Sequence, residues 1–189
     1  MSEAQMYQRI YELREQLSDA YSNYWNLYSD MSTWFFWFNL ASVVIPFIIL
    51  YFAIDRERLF EISFYGYTVH VLWSNVDNFL TAQNYLSHPH TLTGFIPAGV
   101  TVTAVVLPVT FMLLYQYCTN KGKNFYLYAI VASFIFGCGF GGISMIVDLL
   151  RMHNGMNLFY LFLIDIVVAF LALWMTRLFF KIKKTKRKI

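Results

Sequence analysis

The sequence predicts an all-α fold, namely a polytopic transmembrane bundle of five helices with an extra amphipathic helix at the N-terminus. Three observations support this prediction: an apolar composition, five segments long enough to span a membrane, and short connections between them. Of the 189 residues, 58% are hydrophobic and only 13% are charged. A soluble domain would have roughly 25% charged residues, so we expect lipid to surround most of this chain.

The predicted spans follow from the thickness of the bilayer. Its hydrocarbon layer is about 30 Å thick and a helix rises about 1.5 Å per residue, so a span needs roughly 20 mostly apolar residues. Five segments meet this requirement: 33–54, 59–81, 95–118, 125–150 and 157–180. We expect one transmembrane domain in residues 33–180, an N-terminal helix in residues 1–32 and a basic tail in residues 181–189.

The distribution of Lys and Arg predicts the orientation, because short cytoplasmic loops retain basic residues. Basic residues cluster in the first loop, the third loop and the tail: Arg56, Arg58, Lys121, Lys123, Lys181, Lys183, Lys184, Lys186, Arg187 and Lys188. The second loop has no Lys or Arg, and the fourth has only Arg151. We therefore expect a multi-pass protein with its N-terminus outside and its C-terminus in the cytoplasm.

A heptad pattern marks the N-terminal segment. Apolar residues step along it by four and three: Met6, Ile10, Leu13, Leu17, Ala20, Tyr24, Leu27 and Met31. This spacing is typical of a coiled-coil seam, which would dimerise the protein outside the membrane. The segment also carries further aromatic residues: Tyr7, Tyr11, Tyr21, Trp25 and Tyr28. Such residues are enriched at the membrane interface, so an amphipathic helix on the bilayer surface is the alternative interpretation.

The second predicted span carries a polar stripe along one face. Its members are spaced by four and three residues: Ser63, Tyr67, His70, Ser74, Asp77 and Thr81. An ionisable side chain in hydrocarbon costs at least about 2.5–3.5 kcal/mol, so such groups usually face the bundle interior or a water-filled cavity. We expect the functional chemistry, if any, along this stripe.

The fourth span offers a surface against which the stripe can pack. Ser133, Gly137 and Gly141 recur every four residues, and small residues at this spacing let helix backbones approach closely. Asp148 and Arg151 follow at the end of this span, at a spacing that permits a helical ion pair. We interpret the three small residues as a helix-packing ridge and the charged pair as an interfacial salt bridge.

Three carboxylates and one histidine form the candidate functional site. In the predicted orientation Asp77, Asp148 and Asp165 lie in the outer half of the membrane, and His70 lies near its middle. If their helices face one another, they form an acidic vestibule that binds or conducts a small cation or protons. In the structural alternative, each carboxylate only accepts hydrogen bonds from neighbouring polar groups and holds the bundle together.

Three further histidines, His88, His90 and His153, belong to the predicted outer loops. Imidazole and carboxylate are common ligands of divalent metals. A His-Pro-His sequence is a weak metal motif, however, because two histidines need further ligands. Metal binding by these residues therefore stays open.

The sequence lacks the usual catalytic motifs. It contains no HExxH, no GxSxG, no glycine-rich phosphate loop and no CxxC. We expect no enzyme activity and no cofactor. The net charge of +3 comes from the tail alone, so we do not expect nucleic acid as a partner. The expected partners are membrane lipids, a second copy of the chain or another membrane protein. The rival to cation binding is a non-catalytic structural or accessory subunit that assembles through the N-terminal helix and the glycine ridge.

Three runs of sequence occur together: LFEISFYGYTVHVLWSNVDNFL from Leu59, LPVTFMLLYQYC from Leu107 and KGKNFYLYAI from Lys121. Through these runs the chain resembles, over about residues 34–180, a family of small multi-pass membrane proteins of spore-forming Firmicutes. The family has no established activity, so the resemblance implies no functional residue. It does imply a location in the bacterial plasma membrane.

Overall fold

Helices make up nearly all of the regular structure in this computed structural model, which describes residues 1–95 and 101–184. The α-helices in these residues are α1 (Glu3–Tyr28), α2 (Trp34–Ala53), α3 (Leu59–Ala82), α4 (Leu107–Asn120), α5 (Phe125–Phe134), α6 (Gly141–Ile146) and α7 (Leu158–Lys184). The predicted all-α class is therefore confirmed.

Shorter elements interrupt or connect these helices. Two π-helical segments lie at Val102–Val106, just before α4, and at Ile135–Phe140, between α5 and α6. A 3-10 turn at Arg56–Arg58 precedes α3. Two strands of two residues each, β1 (Leu86–Ser87) and β2 (Arg151–Met152), pair in antiparallel orientation. They join the loop that follows α3 to the loop that precedes α7.

Within the described residues, four helical stretches are long and apolar enough to cross a membrane: Trp34–Ala53, Val102–Asn120, Phe125–Ile146 and Leu158–Lys183. They coincide with four of the predicted spans. The remaining predicted span, 59–81, coincides with α3, whose polar side chains make it less apolar than the other four. The structure is compatible with an integral membrane protein, and the count of five spans stays a prediction.

Helix α3 lies at the centre of the bundle, between α4 and α7. Ile62, Tyr65 and Val69 on this helix are completely buried. The ring of Tyr65 stacks on that of Tyr115 in α4, with the centroids 4.6 Å apart. Its hydroxyl donates a hydrogen bond of 3.4 Å to the backbone carbonyl of Ala169 in α7. One aromatic side chain thus connects three helices.

The buried face of α3 differs from the predicted polar stripe. Asp77 belongs to both, but Tyr67 is 66% exposed and His70 is only half-buried. The buried face instead follows the large side chains of Tyr65 and Trp73, whose aromatic rings make many dispersion contacts when packed. Packing of aromatic groups, rather than the alignment of polar ones, therefore determines how α3 is rotated.

The glycine ridge of the fourth predicted span packs against α7 and not, as we expected, against the polar helix. A Cβ atom added at Gly137 would lie 2.7 Å from the backbone nitrogen of Phe162 and 2.8 Å from its Cα. One added at Gly141 would lie 3.2 Å from a methyl group of Leu158. Ser133 is completely buried on the same ridge. Because these residues lack bulk, the backbone of α7 can approach closely.

Helices α1 and α2 lie at the periphery. None of the residues of α1 is buried, although Ser29, which follows it, is completely buried. In α2 the single buried residue is Asn39. The aromatic and aliphatic side chains of both helices are largely exposed. The polar residues Ser29 and Asn39 therefore attach these helices to the rest of the bundle.

A second polar cluster lies where α3 begins and α4 ends, at the opposite end of α3 from Asp77. Arg58 forms an ion pair with Glu61 and hydrogen-bonds the side chain of Asn120. The hydroxyl of Tyr115 donates to Glu61 at 2.6 Å. This cluster connects α3 to α4 beside two loops that carry basic residues.

Candidate functional site

A cavity of about 90 Å³ lies among α3, α7, the two π-helical segments and the loop that contains β1. Its ionisable lining residues are Asp77, His88, His90 and Asp165. Its apolar wall is formed mainly by Phe38, Leu107, Phe136, Phe140 and Leu161. A cavity of this size, with polar groups among its apolar lining, has room for several water molecules. The acidic groups of two distant parts of the chain thus face one space.

Asp77 lies in the last two turns of α3 and is only 4% exposed. Its Oδ1 atom is 3.0 Å from Nε2 of His88. The pairing of β1 with β2 holds the loop close to the end of α3, which brings His88 back over the helix. When the carboxyl group is ionised, the imidazole donates this hydrogen bond and partly compensates the buried charge.

Asp165 lies on α7 and is only 2% exposed. The indole Nε1 of Trp73 donates a hydrogen bond of 2.6 Å to its Oδ1 atom. Within the described residues, the indole of Trp73 is the one hydrogen-bond donor to the Asp165 carboxylate. No cationic side chain of these residues forms an ion pair with Asp165. A buried ionised carboxylate without a cationic partner is unfavourable, so this group favours a proton or a bound cation.

His90 closes the cavity on the side of α1 and α2. Its Nδ1 atom is 2.9 Å from the hydroxyl oxygen of Ser29, and its ring stacks on Phe35 with centroids 3.4 Å apart. Its backbone carbonyl accepts a hydrogen bond from the side chain of Asn39 at 3.2 Å. Burial lowers the pKa of His90, while the carboxylate of Asp148 opposes that shift. The ring is therefore expected to be neutral at pH 7.

Both π-helical segments contribute to the cavity wall. Val102 and Thr103 belong to the first of them, and Phe136, Gly137 and Phe140 belong to the second. A π-helical turn contains an additional residue and changes the direction of the side chains that follow it, and such turns often occur at functional sites. The two irregular segments meet at the same cavity, which indicates a binding region rather than a fully regular packing core.

Two of the four candidate residues for cation binding meet at this cavity, and two do not. Asp77 and Asp165 line it. His70 is not among the lining residues; its Nδ1 atom is 3.3 Å from the hydroxyl of Ser74 on the same helix. Asp148 is only partly buried; it forms two hydrogen bonds of 2.6 Å with Arg151, and its Oδ2 atom is 3.9 Å from Nε2 of His90. The guanidinium of Arg151 lowers the pKa of Asp148, which therefore stays ionised as a surface ion pair.

The three histidines that we considered as metal ligands have separate partners. His88 contacts Asp77, His90 contacts Ser29, and Nε2 of His153 lies 3.1 Å from the hydroxyl of Ser87. Within residues 1–95 and 101–184, no three His, Cys, Asp or Glu side chains are grouped so that they could hold a metal ion. The role of these histidines in metal binding gains no support from their positions.

Sequence reasoning missed two further parts of the site. The predicted polar stripe does not include Trp73, yet the indole of this residue is the donor to Asp165. Asn39 lies in the otherwise apolar first span and was not singled out as a site residue. Its side chain accepts a hydrogen bond of 2.9 Å from the hydroxyl of Thr101. A single amide in an otherwise apolar helix is the signal that could have identified Asn39, since a polar group in lipid needs a partner.

The fold and the cavity define a class of protein: a helix bundle compatible with an integral membrane location, with two buried carboxylates facing a common space. No protein-family model, no curated protein and no solved structure matches this chain. The resemblance to the membrane proteins of spore-forming Firmicutes therefore stays a prediction. The function has to be inferred from the site itself.

Proposed function

We propose that this protein is an integral membrane protein that binds or conducts a small cation or protons through its cavity. The observation that carries the proposal is that Asp77 and Asp165 are buried and line the same cavity. Each ionised carboxylate inside a membrane costs at least about 2.5–3.5 kcal/mol. A bound cation or proton offsets that cost, so the pair has an intrinsic affinity for positive charge.

The proposal includes five membrane spans, with α3 as the second. The support for this is that α3 has 24 residues, which corresponds to about 36 Å and is sufficient to cross the hydrocarbon layer. It packs between α4 and α7, each of which belongs to a stretch of spanning length. A central helix shielded by such neighbours can carry polar residues that an isolated span in lipid could not.

The proposed location is the bacterial plasma membrane, with the N-terminus outside and the C-terminus in the cytoplasm. The support is the concentration of Lys and Arg in the first loop, the third loop and the tail, since short cytoplasmic loops retain basic residues. With this orientation the cavity lies in the outer half of the membrane, beneath the loop that contains His88 and His90. Helix α1 then lies outside the spans.

The two carboxylates differ in their surroundings, which suggests different roles within one site. Asp77 already contacts the imidazole of His88, so this pair can exchange a proton with the cavity. Asp165 contacts only a neutral donor, Trp73, and retains the capacity to accept from a bound cation. We assign proton exchange to the first group and cation binding to the second, with no catalytic step at either.

Flux measurements in proteoliposomes test the proposal. We expect the parent protein to conduct protons or a monovalent cation, and Asp77→Asn and Asp165→Asn each to reduce that flux strongly. Asp19→Asn is the matched control, because it makes the same substitution on the exposed surface of α1. An absence of flux in the parent, or unchanged flux in both cavity variants, would refute conduction through the cavity, and an additional absence of cation binding in the parent would refute the proposed function.

A second candidate function, a non-catalytic accessory subunit, is favoured by a different observation. Met6, Ile10, Leu13 and Leu17 of α1 are all between 45% and 56% exposed, and they lie on the predicted heptad seam. An exposed apolar seam is expected to bind a second copy of the chain or another membrane protein. Deleting residues 1–20 leaves in place the hydrogen bond of 3.1 Å from the indole of Trp25 to the carbonyl of Thr91 and the contact of Ser29 with His90. A particle mass in detergent that is unaltered by this deletion would exclude self-association through residues 1–20 of the seam.

A further inference from the structure

We infer that the cavity binds a short-chain organic ammonium ion, whose charged group pairs with Asp165 and whose hydrocarbon part contacts Phe136, Phe140 and Leu161. This inference rests on the proposed function, because it names the class of cation that the same site takes. Three properties of the cavity lead to it: the number of available ligand atoms, the character of the walls and the volume.

The ligand atoms around the cavity do not suit a bare inorganic cation. Hard metal ions take about six or more oxygen ligands, and the described part of the chain holds no suitable group of three acidic or imidazole ligands. Several polar lining groups are already engaged. His88 contacts Asp77, His90 contacts Ser29, and Asn39 binds Thr101 and the carbonyl of His90.

Asp165 is the group that remains for a charged ligand. It is 2% exposed and lines the cavity, and its Oδ1 atom accepts from Trp73. No second hydrogen-bond donor reaches this carboxylate within residues 1–95 and 101–184. An ammonium group has three N–H donors, so it can pair with the free carboxylate oxygen and still retain contact with water in the cavity.

The walls of the cavity suit a hydrocarbon body better than a hydration shell. Phe136 and Phe140 lie on the second π-helical segment with ring centroids 5.9 Å apart, and Leu107 and Leu161 face the same space. Aromatic faces also attract organic cations. An inorganic ion would lose its hydration shell against these walls without gaining ligands, whereas an alkyl ammonium would bury its methylene groups.

The volume limits the size of the ligand. The cavity measures about 90 Å³, whereas an engineered protein cavity of about 150 Å³ accommodates benzene. The part of the ligand that the cavity encloses is therefore smaller than an aromatic ring. An unbranched primary amine with a few carbon atoms, protonated at neutral pH like a lysine side chain, fits this limit.

Calorimetric titration of the full chain in nanodiscs with ethylammonium, propylammonium and butylammonium tests the inference. Each added methylene is expected to tighten binding about fourfold until the cavity is filled. Propanol is the neutral control, since it has a similar body without the charge. Binding of propanol as tight as that of propylammonium, or affinities that do not change with chain length, would overturn the inference.

Two variants test the position of the ligand. Asp165→Asn keeps an acceptor for Trp73 but removes the charge, and it should weaken propylammonium binding by at least about thirtyfold. Asp19→Asn, measured in the same nanodiscs, should not change the affinity, which controls for the loss of a carboxylate elsewhere in the chain; empty nanodiscs measure the partition of the amines into lipid. Phe140→Ala enlarges the cavity and should shift the preference towards a longer amine. Unchanged binding in Asp165→Asn together with an unchanged preference in Phe140→Ala would show that the ligand lies elsewhere.

The inference and the proposed function can fail separately. Proton or potassium flux that depends on Asp165, without binding of any ammonium ion, would overturn the inference and retain the proposed function. An absence of both flux and binding in the parent protein would remove both. Ammonium binding that depends on Asp165 would support both, because it demonstrates a cation site in the cavity.

Discussion

The contact between Gly137 and α7 permits a stringent test of the packing. A Cβ atom at this position would lie 2.7 Å from the backbone nitrogen of Phe162, whereas non-bonded carbon contacts are ordinarily about 3.5–4.0 Å. Gly137→Ala therefore forces the two helices apart by roughly 1 Å. Backbone cannot move aside as a flexible side chain can, so the strain falls on the whole helix pair.

The expected loss of stability in Gly137→Ala follows from comparison with Gly139, a second glycine on the same π-helical segment. A Cβ atom at Gly139 would meet no atom within 4 Å. Both Gly→Ala changes alter helix propensity by a similar amount, about 1 kcal/mol, which cancels in the comparison. The remaining difference is the cost of overpacking at Gly137, about 1–3 kcal/mol.

Unfolding in mixed micelles with an increasing fraction of SDS, followed by tryptophan fluorescence, measures this difference. We expect Gly137→Ala to unfold at a lower SDS fraction than Gly139→Ala, with a free energy of unfolding about 1–3 kcal/mol smaller. Equal stability of the two variants would refute the close approach of α7 to the glycine ridge, and with it the position of Asp165 relative to the cavity.

Three further predictions concern the residues around the cavity. Trp73→Phe removes the hydrogen bond to Asp165 and should lower the free energy of unfolding by about 1.5–3 kcal/mol if the carboxylate is charged, as measured by the same SDS titration. Ser29→Ala leaves the buried ring nitrogen of His90 without its hydroxyl partner and should cost about 1–3 kcal/mol, together with faster proteolysis of α1. Stability should fall as the pH drops below the ordinary histidine pKa of 6.5, because burial lowers the pKa of His90 and the unfolded chain then takes up the proton more readily than the folded one.

For each of these three predictions, one experimental result would contradict it. Unchanged stability in Trp73→Phe at both pH 5 and pH 8 would show that the indole contributes nothing to Asp165. If Ser29→Ala leaves the proteolysis of α1 unchanged, the junction of α1 with the loop is not held by this contact. For the pH dependence, the control is His90→Asn, which should show a smaller loss of stability between pH 7 and pH 5; an identical loss would assign the effect to another group.

The positions of the apolar helices could be predicted from the sequence because length and apolarity are local properties. Four of the predicted spans coincide with helices of spanning length and composition, including the last one, Leu158–Lys183. The interruption of the fourth span by a π-helical segment at Ile135–Phe140 could not be predicted. One additional residue in a turn leaves no signature in the hydrophobic pattern, and it depends on the contacts that the neighbouring helices offer.

The candidate site was predictable only in part. The presence of ionisable groups inside apolar segments marked Asp77 and Asp165 as unusual, and both line the cavity. Which histidine contacts Asp77 could not be predicted in the same way. His70 shares a helical face with Asp77 in the sequence pattern, but the histidine that contacts Asp77 is His88, in the following loop. A loop conformation set by the pairing of β1 with β2 decides that contact.

The sequence by itself determined the helical class, the approximate positions of four apolar helical stretches of spanning length, and the charge asymmetry of the loops, since each depends on neighbouring residues only. Tertiary structure alone decided which face of α3 is buried and that Trp73 meets Asp165, 92 positions along the chain. The physical reason is that the rotation of a helix depends on the shapes of its neighbours. Close packing of Tyr65 against Tyr115 and of Gly137 against Phe162 sets that rotation, and no local pattern encodes it.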